Sequence, residues 1–438
     1  MRATRSMQPL VVAVVAATFA AASVPPARSA DWPGWRGPNR DAVSAETGLL
    51  QEWPAGGPPL LFKAAGIGAG LSSVAVVGDR IYTMGDKGGS QYVFALAKAD
   101  GKILWNAKVG APWEDEYAGP RGTPTVDGDL LYAIGTEGDL VCLETATGKE
   151  RWRKSLPRDF GGAMSTMWKF SESPLVDGDL LVFTPGARDA ALVAVNKKTG
   201  ALVWKAGIPD LGPRGKDGAG YSGIVISNGA GVKQYVQLLG KGLVGIRASD
   251  GKFLWGYNRI ANDVANIPTP VVRGNYVFAS TGYQTGAALV ELSAQGQAVM
   301  AKEVYFLPAS TFQNHHGGVV LVGDHIYAGH GHNKGFPISI DFMTGKVAWG
   351  GDIRNAGTGS AAVLYADNRL YYRYQNGVVV LVEATPAGYR EKGSFNIPDV
   401  SHPSWPHLVV ADGRLYVREQ DNLYVYDVRG AAGGARGR

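Results

Sequence analysis

Eight times between Val77 and Asn422 the chain writes one phrase. It reads VGDRIYTMG from Val77, VDGDLLYAIG from Val126, VDGDLLVFTPG from Val176, GVKQYVQLLG from Gly231, VRGNYVFASTG from Val272, VGDHIYAGHG from Val322, ADNRLYYRYQNG from Ala366 and ADGRLYVREQDN from Ala411. The copies recur about every 48 residues, a period typical of repeat architectures. In each, an apolar run meets a GD or DG turn, and an alternating strand and a glycine-containing loop follow. A third apolar strand, a TGK-type turn and a strand carrying tryptophan complete the unit. Four short strands per unit are the signature of a propeller blade. A β-helix has a much shorter period, and a sandwich does not repeat eight times. The repeat predicts an all-β, eight-bladed β-propeller with four-stranded blades.

The stretch leading to the tryptophan is the most regular part. ALAKADGKILW (95–105), CLETATGKERW (142–152), AVNKKTGALVW (194–204), GIRASDGKFLW (245–255) and SIDFMTGKVAW (339–349) keep one spacing from a small residue to the indole. The turn glycine permits a tight reversal, and the indole can pack on the next blade. These stretches resemble the tryptophan-docking motif of the pyrroloquinoline-quinone-like, quinoprotein-type propeller family, and the resemblance covers residues from about 60 to 428. Blades five, seven and eight depart from it, ELSAQGQAVMA in blade five lacking the tryptophan. The last copy ends at NLYVYDVRG without an outer strand, whereas PPLLFKAAG (58–66) resembles ILWNAKVG. Residues 60–66 are therefore expected to close the ring as the outer strand of the last blade, which removes a free sheet edge. Residues 60–428 then form the propeller. Residues 31–59, which begin DWPGWRGPNRDAV, are expected to wrap its surface with Trp32 and Trp35 packed down. In fold the chain is similar to the propeller lipoprotein of outer-membrane assembly, and it also resembles stand-alone secreted propellers that open with W-x-x-W-R-G-P-N.

Composition agrees with a turn-rich β fold. Glycine supplies 61 of 438 residues, about twice the usual roughly 7%. Residues 1–30 read as a signal peptide: Arg2 and Arg5, then a short apolar run, then small residues, with cleavage expected between Ala22 and Ala30. The apolar run is too short for a transmembrane anchor, and no cysteine stands there to take a lipid, so the expected location is periplasmic or secreted. The formal charge of +5 falls to −1 once three leader arginines (Arg2, Arg5, Arg28) and three tail arginines (Arg429, Arg436, Arg438) are set aside. A near-neutral body carries no electrostatic footprint for nucleic acid. Residues 429–438 read as a disordered tail. The single cysteine, Cys142, excludes an intrachain disulfide and sits at the small-residue position before a tryptophan, where it is structural.

The repeat register places the polar residues. In blade six a two-residue turn at Gly323-Asp324 sets Val322 opposite His325, so His315 falls opposite His332 and His316 opposite Gly331. His315, His316, His330 and His332 thus gather at the end of the hairpin where the inner strand begins, while His325 falls at the other end. Other blades bring Arg121, Glu172, Asn266, His402, Trp405 and His407 to that same face, and Asn333 and Gln375 join from loops between second and third strands. Loops on a rigid scaffold commonly carry the ligand site. The expected ligand-binding set is His315, His316, His330, His332, Asn333, Arg121, Glu172, Asn266, Trp405 and His407.

Several chemistries suit such a face. His315, His332 and His407 could converge on a transition metal. The family resemblance implies pyrroloquinoline quinone with calcium and alcohol or sugar dehydrogenation. Glu172 and Asn266 would then stand as metal ligands, Arg121 would meet the cofactor's carboxylates, and Trp168 or Trp405 would stack on it. Against this, YFLPASTFQNHH at blade six offers no acid, and neither adjacent cysteines nor a C-x-x-C-H haem motif occurs. A carbohydrate-active propeller would use Trp113, Tyr117, Trp168, Tyr283, Phe336 and Trp405 as sugar platforms, with histidines and Arg121 acting on a uronate. The leading expectation is a non-enzymatic scaffold that binds a small molecule, a carbohydrate or a protein partner on this face.

Overall fold

The computed structural model describes residues 31–430 apart from Gln297. The leader (1–30) and all but the first two residues of the tail lie outside the described residues. Eight blades follow in chain order, each a four-stranded antiparallel sheet, and blade seven carries Val43–Ser44 as a fifth strand. Blade one, for example, runs Ala75–Val77, Arg80–Lys87, Ser90–Ala97 and Ile103–Gly110, and blade six runs Val319–Val322, His325–His330, Phe336–Asp341 and Val347–Gly350. The last blade takes its outer strand from Leu60–Ala65, antiparallel to Asn422–Asp427, with Ala65 opposite Asn422. Closure by that strand seals the ring. Arg429 and Gly430, expected at the start of a disordered tail, belong to the fold. Arg429 Nε donates to Asp427 (2.8 Å) and the Gly430 N–H to the Gly48 carbonyl (2.8 Å).

The docking motif works as the sequence suggests. Each indole pairs in register with a small residue: Trp105 with Ala95, Trp152 with Cys142, Trp204 with Ala194, Trp255 with Gly245, Trp349 with Ser339. Trp105, Trp152 and Trp204 then lie over the turn glycines of the following blades, Gly148, Gly200 and Gly251. A Cβ on those glycines would stand 2.6–2.9 Å from the indole, and their φ values of 71–73° exclude most other residues. The indole N–H groups donate onward to the carbonyls of Thr145 (3.1 Å), Lys197 (3.1 Å) and Ala248 (3.2 Å). In blade five Tyr305 takes the place of the missing tryptophan. Its ring covers Gly345, and its hydroxyl donates to Phe342 O at 2.8 Å. Apolar clusters consequently form between neighbouring blades. One joins blades one and two around Val93, Leu131 and Val141, and others follow round the ring.

The segment expected to wrap the surface does something else first. Residues 32–44 fill the channel on the propeller axis and touch the inner strand of every blade or the segment leading into it. Trp32 exchanges two backbone hydrogen bonds with Val76, Pro33 O accepts from Val126 N–H, and Arg40 donates to Ser173 O and Pro174 O. Trp35 packs on Gly223 and donates to Thr269 Oγ1 (3.0 Å), and Arg36 donates to Val319 O. Val43–Ser44 pairs in parallel with Ala361–Ala366, and Ser44 Oγ donates to Val410 O. Positive φ at Arg36, Gly37, Arg40 and Ala42 coils this plug tightly enough to fit. Only afterwards, near Leu49 and Trp53, does the chain pass over blades seven and eight. The physical reason is that eight inner strands leave an axial gap, and burying Trp32 and Ala42 there removes apolar surface from water.

Candidate ligand site

Above the plug, at the face where the inner strands begin, lies a cavity of about 370 Å³ lined by all eight blades. Trp35 and Arg36 of the plug form its floor. Arg121, Glu172, His315, His316, His332, Asn333, Trp405 and His407 all line it. Two expected members do not. His330, the last residue of its strand, turns away, accepting from the Gln313 N–H (3.2 Å) beside Phe312, and the chain reverses at Gly331 (φ 80°) before His332 reaches the cavity. Asn266 is buried behind the wall, donating to Leu239 O and Gly240 O and accepting from Asn262. His402 is exposed and bonded only to Ser401. The sequence reading missed Arg36 and Ser360. The WRGPN stretch was the available signal for Arg36, and nothing marked Ser360.

The histidines form a stack rather than a ligand cage. His315 lies 3.5 Å from His316 and 4.1 Å from His332 by ring centroids, and His316 meets Trp405 edge-on at 4.4 Å. Ser360 Oγ donates to Asn333 Oδ1 (3.0 Å), so it accepts from His315 Nδ1–H (2.7 Å). His315 Nε2 is then the acceptor for the Tyr283 hydroxyl (2.9 Å). His407 Nε2–H donates to His316 O (3.2 Å), and its ring rests on Trp35 at 4.5 Å. The transition-metal site expected at His315, His332 and His407 does not assemble. Both nitrogens of His315 and one of His407 are engaged within the protein, and among the described residues no three His, Cys, Asp or Glu side chains are grouped to hold a metal. Tyr283 sits at φ 54°, a conformation uncommon for a bulky side chain.

Burial sets the charges. Desolvation, with His332 adding to it, pushes His315 down to about 3, and burial with Arg36 nearby pushes His407 down to about 3. Both are neutral at ordinary pH. Burial pushes Glu172 up to about 7, opposed by hydrogen bonds from Thr184 and by the nearby Arg40. Arg36 and Arg121 are lowered by burial to about 10 and stay charged.

A calcium-bound quinone needs carboxylate and amide oxygens free to take the ion. Glu172, the sole carboxylate of the lining among the described residues, already accepts from Thr184 N–H (2.7 Å), Thr184 Oγ1 (2.8 Å) and Gln237 Nε2 (3.1 Å). Asn266, the second expected ligand, is committed to the backbone. This donor set does not fit the calcium–quinone pair. Trp168, Tyr117 and Trp405 do offer aromatic walls, with Trp405 held by Gln375 (2.9 Å) and lying 4.9 Å from Tyr117. Trp113 instead carries the Arg121 guanidinium on its face at 4.0 Å.

Comparison with known proteins agrees with the fold. The chain is 29% identical over 114 residues to the outer membrane protein assembly factor BamB of Xanthomonas campestris pv. campestris, covering 25% of each chain. It is 29% identical over 132 residues to the quinoprotein ethanol dehydrogenase of Pseudomonas aeruginosa, covering 30% of this chain and 18% of that one. The matched segments thus span a third or less of these relatives' lengths. Among solved structures, BamB from Moraxella catarrhalis superposes with a TM-score of 0.56 at 14% identity, over 81% of this chain and 94% of that one. A quinohemoprotein alcohol dehydrogenase from Pseudomonas putida HK5 reaches 0.62 at 14% identity, over 92% and 80%. At such identities the structures share the propeller fold alone. The family described as "Outer membrane protein assembly factor BamB" matches residues 89–351, more than half of the sequence, and the chain belongs to it.

Proposed function

We propose that this chain is an exported binding propeller that holds a small ring-shaped ligand in the axial cavity. The observation that carries this reading is the cavity itself: all eight blades and the plug contribute to one site with Trp35, Trp168 and Trp405 among its walls. Such concave, aromatic-lined sites with a few placed polar groups are the usual form of small-molecule pockets. A catalytic role for the histidines has weaker support, because a general acid or base works best with a pKa near the working pH, and His315 and His407 are held at about 3. Export rests on the order of charged, apolar and small residues in positions 1–30 and on the outer-membrane association in the family's description.

A thermal-shift screen of sugars, sugar acids and aromatic acids tests the binding function. Compounds that raise the melting temperature of the wild type are expected to lose that effect in Trp405→Ala and in His332→Ala. Hits that persist unchanged in both variants would place the ligand elsewhere.

A further inference from the structure

We infer that the ligand is a ring compound bearing a carboxylate and at least one hydroxyl, as in a sugar acid or a hydroxylated aromatic acid. This rests on the cavity being the ligand site and adds the charge and chemistry of what it takes. The cavity's charge balance is the first argument. Two arginines line it, and one carboxylate, Glu172, is already engaged by Thr184 and Gln237. Arg36 is 3% exposed, bonds only to the carbonyls of Asp41 and Val319, and leaves Nε and Nη1 without any partner. Arg121 likewise bonds only to carbonyls, those of Tyr117 (2.6 Å) and Gly119 (3.2 Å). Neither arginine forms an ion pair with a carboxylate among the described residues.

Away from the cavity the fold treats buried arginines in both ways. Arg373 meets Glu419 at 2.7 Å, whereas Arg418 bonds to Thr83 Oγ1 and to the Gly68 and Gln420 carbonyls. Arg36 and Arg121 differ from Arg418 in lining an open cavity. Uncompensated buried charge is unfavourable, and an arriving anion relieves it. A guanidinium in a poorly hydrated pocket also attracts a carboxylate more strongly than one in water. Asp41 near Arg36, and Asp86 and Asp115 near Arg121, favour the charged guanidinium without pairing with it, so the floor and one wall each present an arginine that has no bonded counter-ion.

The second argument concerns hydroxyls. His316, His332 and Asn333 line the cavity, and Asn333 Nδ2 donates to no protein group among the described residues. These groups stand beside aromatic faces suited to the apolar face of a ring. Sugar acids and hydroxylated aromatic acids share the required chemistry, so the probes must separate the two sources.

Isothermal titration with D-glucuronate, D-glucose, 4-hydroxybenzoate and phenol does so. The acid of a matched pair is expected to bind at least ~10-fold tighter than its neutral partner, as suits a charge-assisted contact. Tighter binding of glucuronate identifies the sugar source, and tighter binding of 4-hydroxybenzoate the aromatic one. The preference for the acid should fall several-fold in Arg121→Gln. Arg36→Gln serves as a second variant, with circular dichroism reporting whether the plug and blades remain folded. Equal affinity for acid and neutral partners would overturn the inference while leaving the cavity as the ligand site. A preference that survives both substitutions would overturn it too. If all four probes fail to bind while other ring compounds do, the carboxylate inference falls. If bound probes are indifferent to Trp405→Ala, the cavity reading falls first.

Discussion

Glu172 and the buried histidines His315 and His407 titrate in opposite senses, and their balance gives the protein a pH signature. Glu172 has its folded pKa raised from 4.5 to about 7, so its contribution to stability is fully present below about 4.5 and is lost as pH rises through about 7. His315 and His407 are lowered from 6.5 to about 3, so the unfolded chain takes up protons first, and stability drains away as pH falls from about 6.5 toward 3. Each group acts with a slope of about 1.4 kcal/mol per pH unit inside its window. Glu172→Gln removes this titration but turns an amide NH2 toward a donor, the Thr184 N–H or Gln237 Nε2, so its stability relative to wild type is expected to rise from pH 4.5 to pH 8 whatever its absolute value. Denaturant unfolding at the two pH values measures this, and a pH-independent difference would mean the carboxylate is well compensated. His407→Gln should flatten the loss of stability between pH 6 and pH 4. None of these shifts was legible in the sequence. Glu172 and His407 could be placed on the correct face from the repeat register, but burial beside Thr184 or under Trp35 depends on how eight loops converge.

At the scale of the element, the contact between tryptophan and turn glycine is the unit that makes one blade recognise the next. Gly200 and Gly178 are a natural pair for weighing it. Both have positive φ (71° and 60°), but a Cβ at Gly200 would lie 2.9 Å from Trp152, whereas Gly178 has nothing within 4 Å. Each glycine-to-alanine change incurs backbone strain of about 1–2 kcal/mol. Gly200→Ala should cost at least ~1 kcal/mol more, by overpacking, and equal costs in a denaturant titration would show that the indole yields freely. Tyr305→Phe, which removes the donor to Phe342 O, is expected to lose about 1 kcal/mol. This level was the most legible part of the chain, because the motif needs glycine, a small residue and an indole at fixed spacing. Blade five was legible as a copy without tryptophan but its anchor was not, because a tyrosine takes the place of the indole from a longer outer strand, Ala298–Pro308, at a different spacing.

Across the whole molecule, the plug joins fold and site. Eight blades close a ring, but the ring leaves its axis open until Trp32, Trp35, Arg36 and Ala42 fill it. A chain lacking residues 31–44 is expected to melt more than about 5 °C lower and to show no ligand-induced stabilisation, since the cavity loses its floor. A calorimetric scan with the best-binding compound present reads both effects. The repeat announced the ring and its closing strand. The plug was invisible to it, because a single copy of WPGWRGPNRDA has no internal partner against which its place can be read. The site was half legible for a related reason: each wall belongs to a repeat, and the floor does not. The most direct measurement of the whole account is a crystal structure with the tightest-binding ring compound. The account predicts density between Trp405 and Trp35, with the ligand's charge turned toward Arg36 and Arg121. A ligand found on the outer strands, with the axial cavity left unchanged, would contradict it.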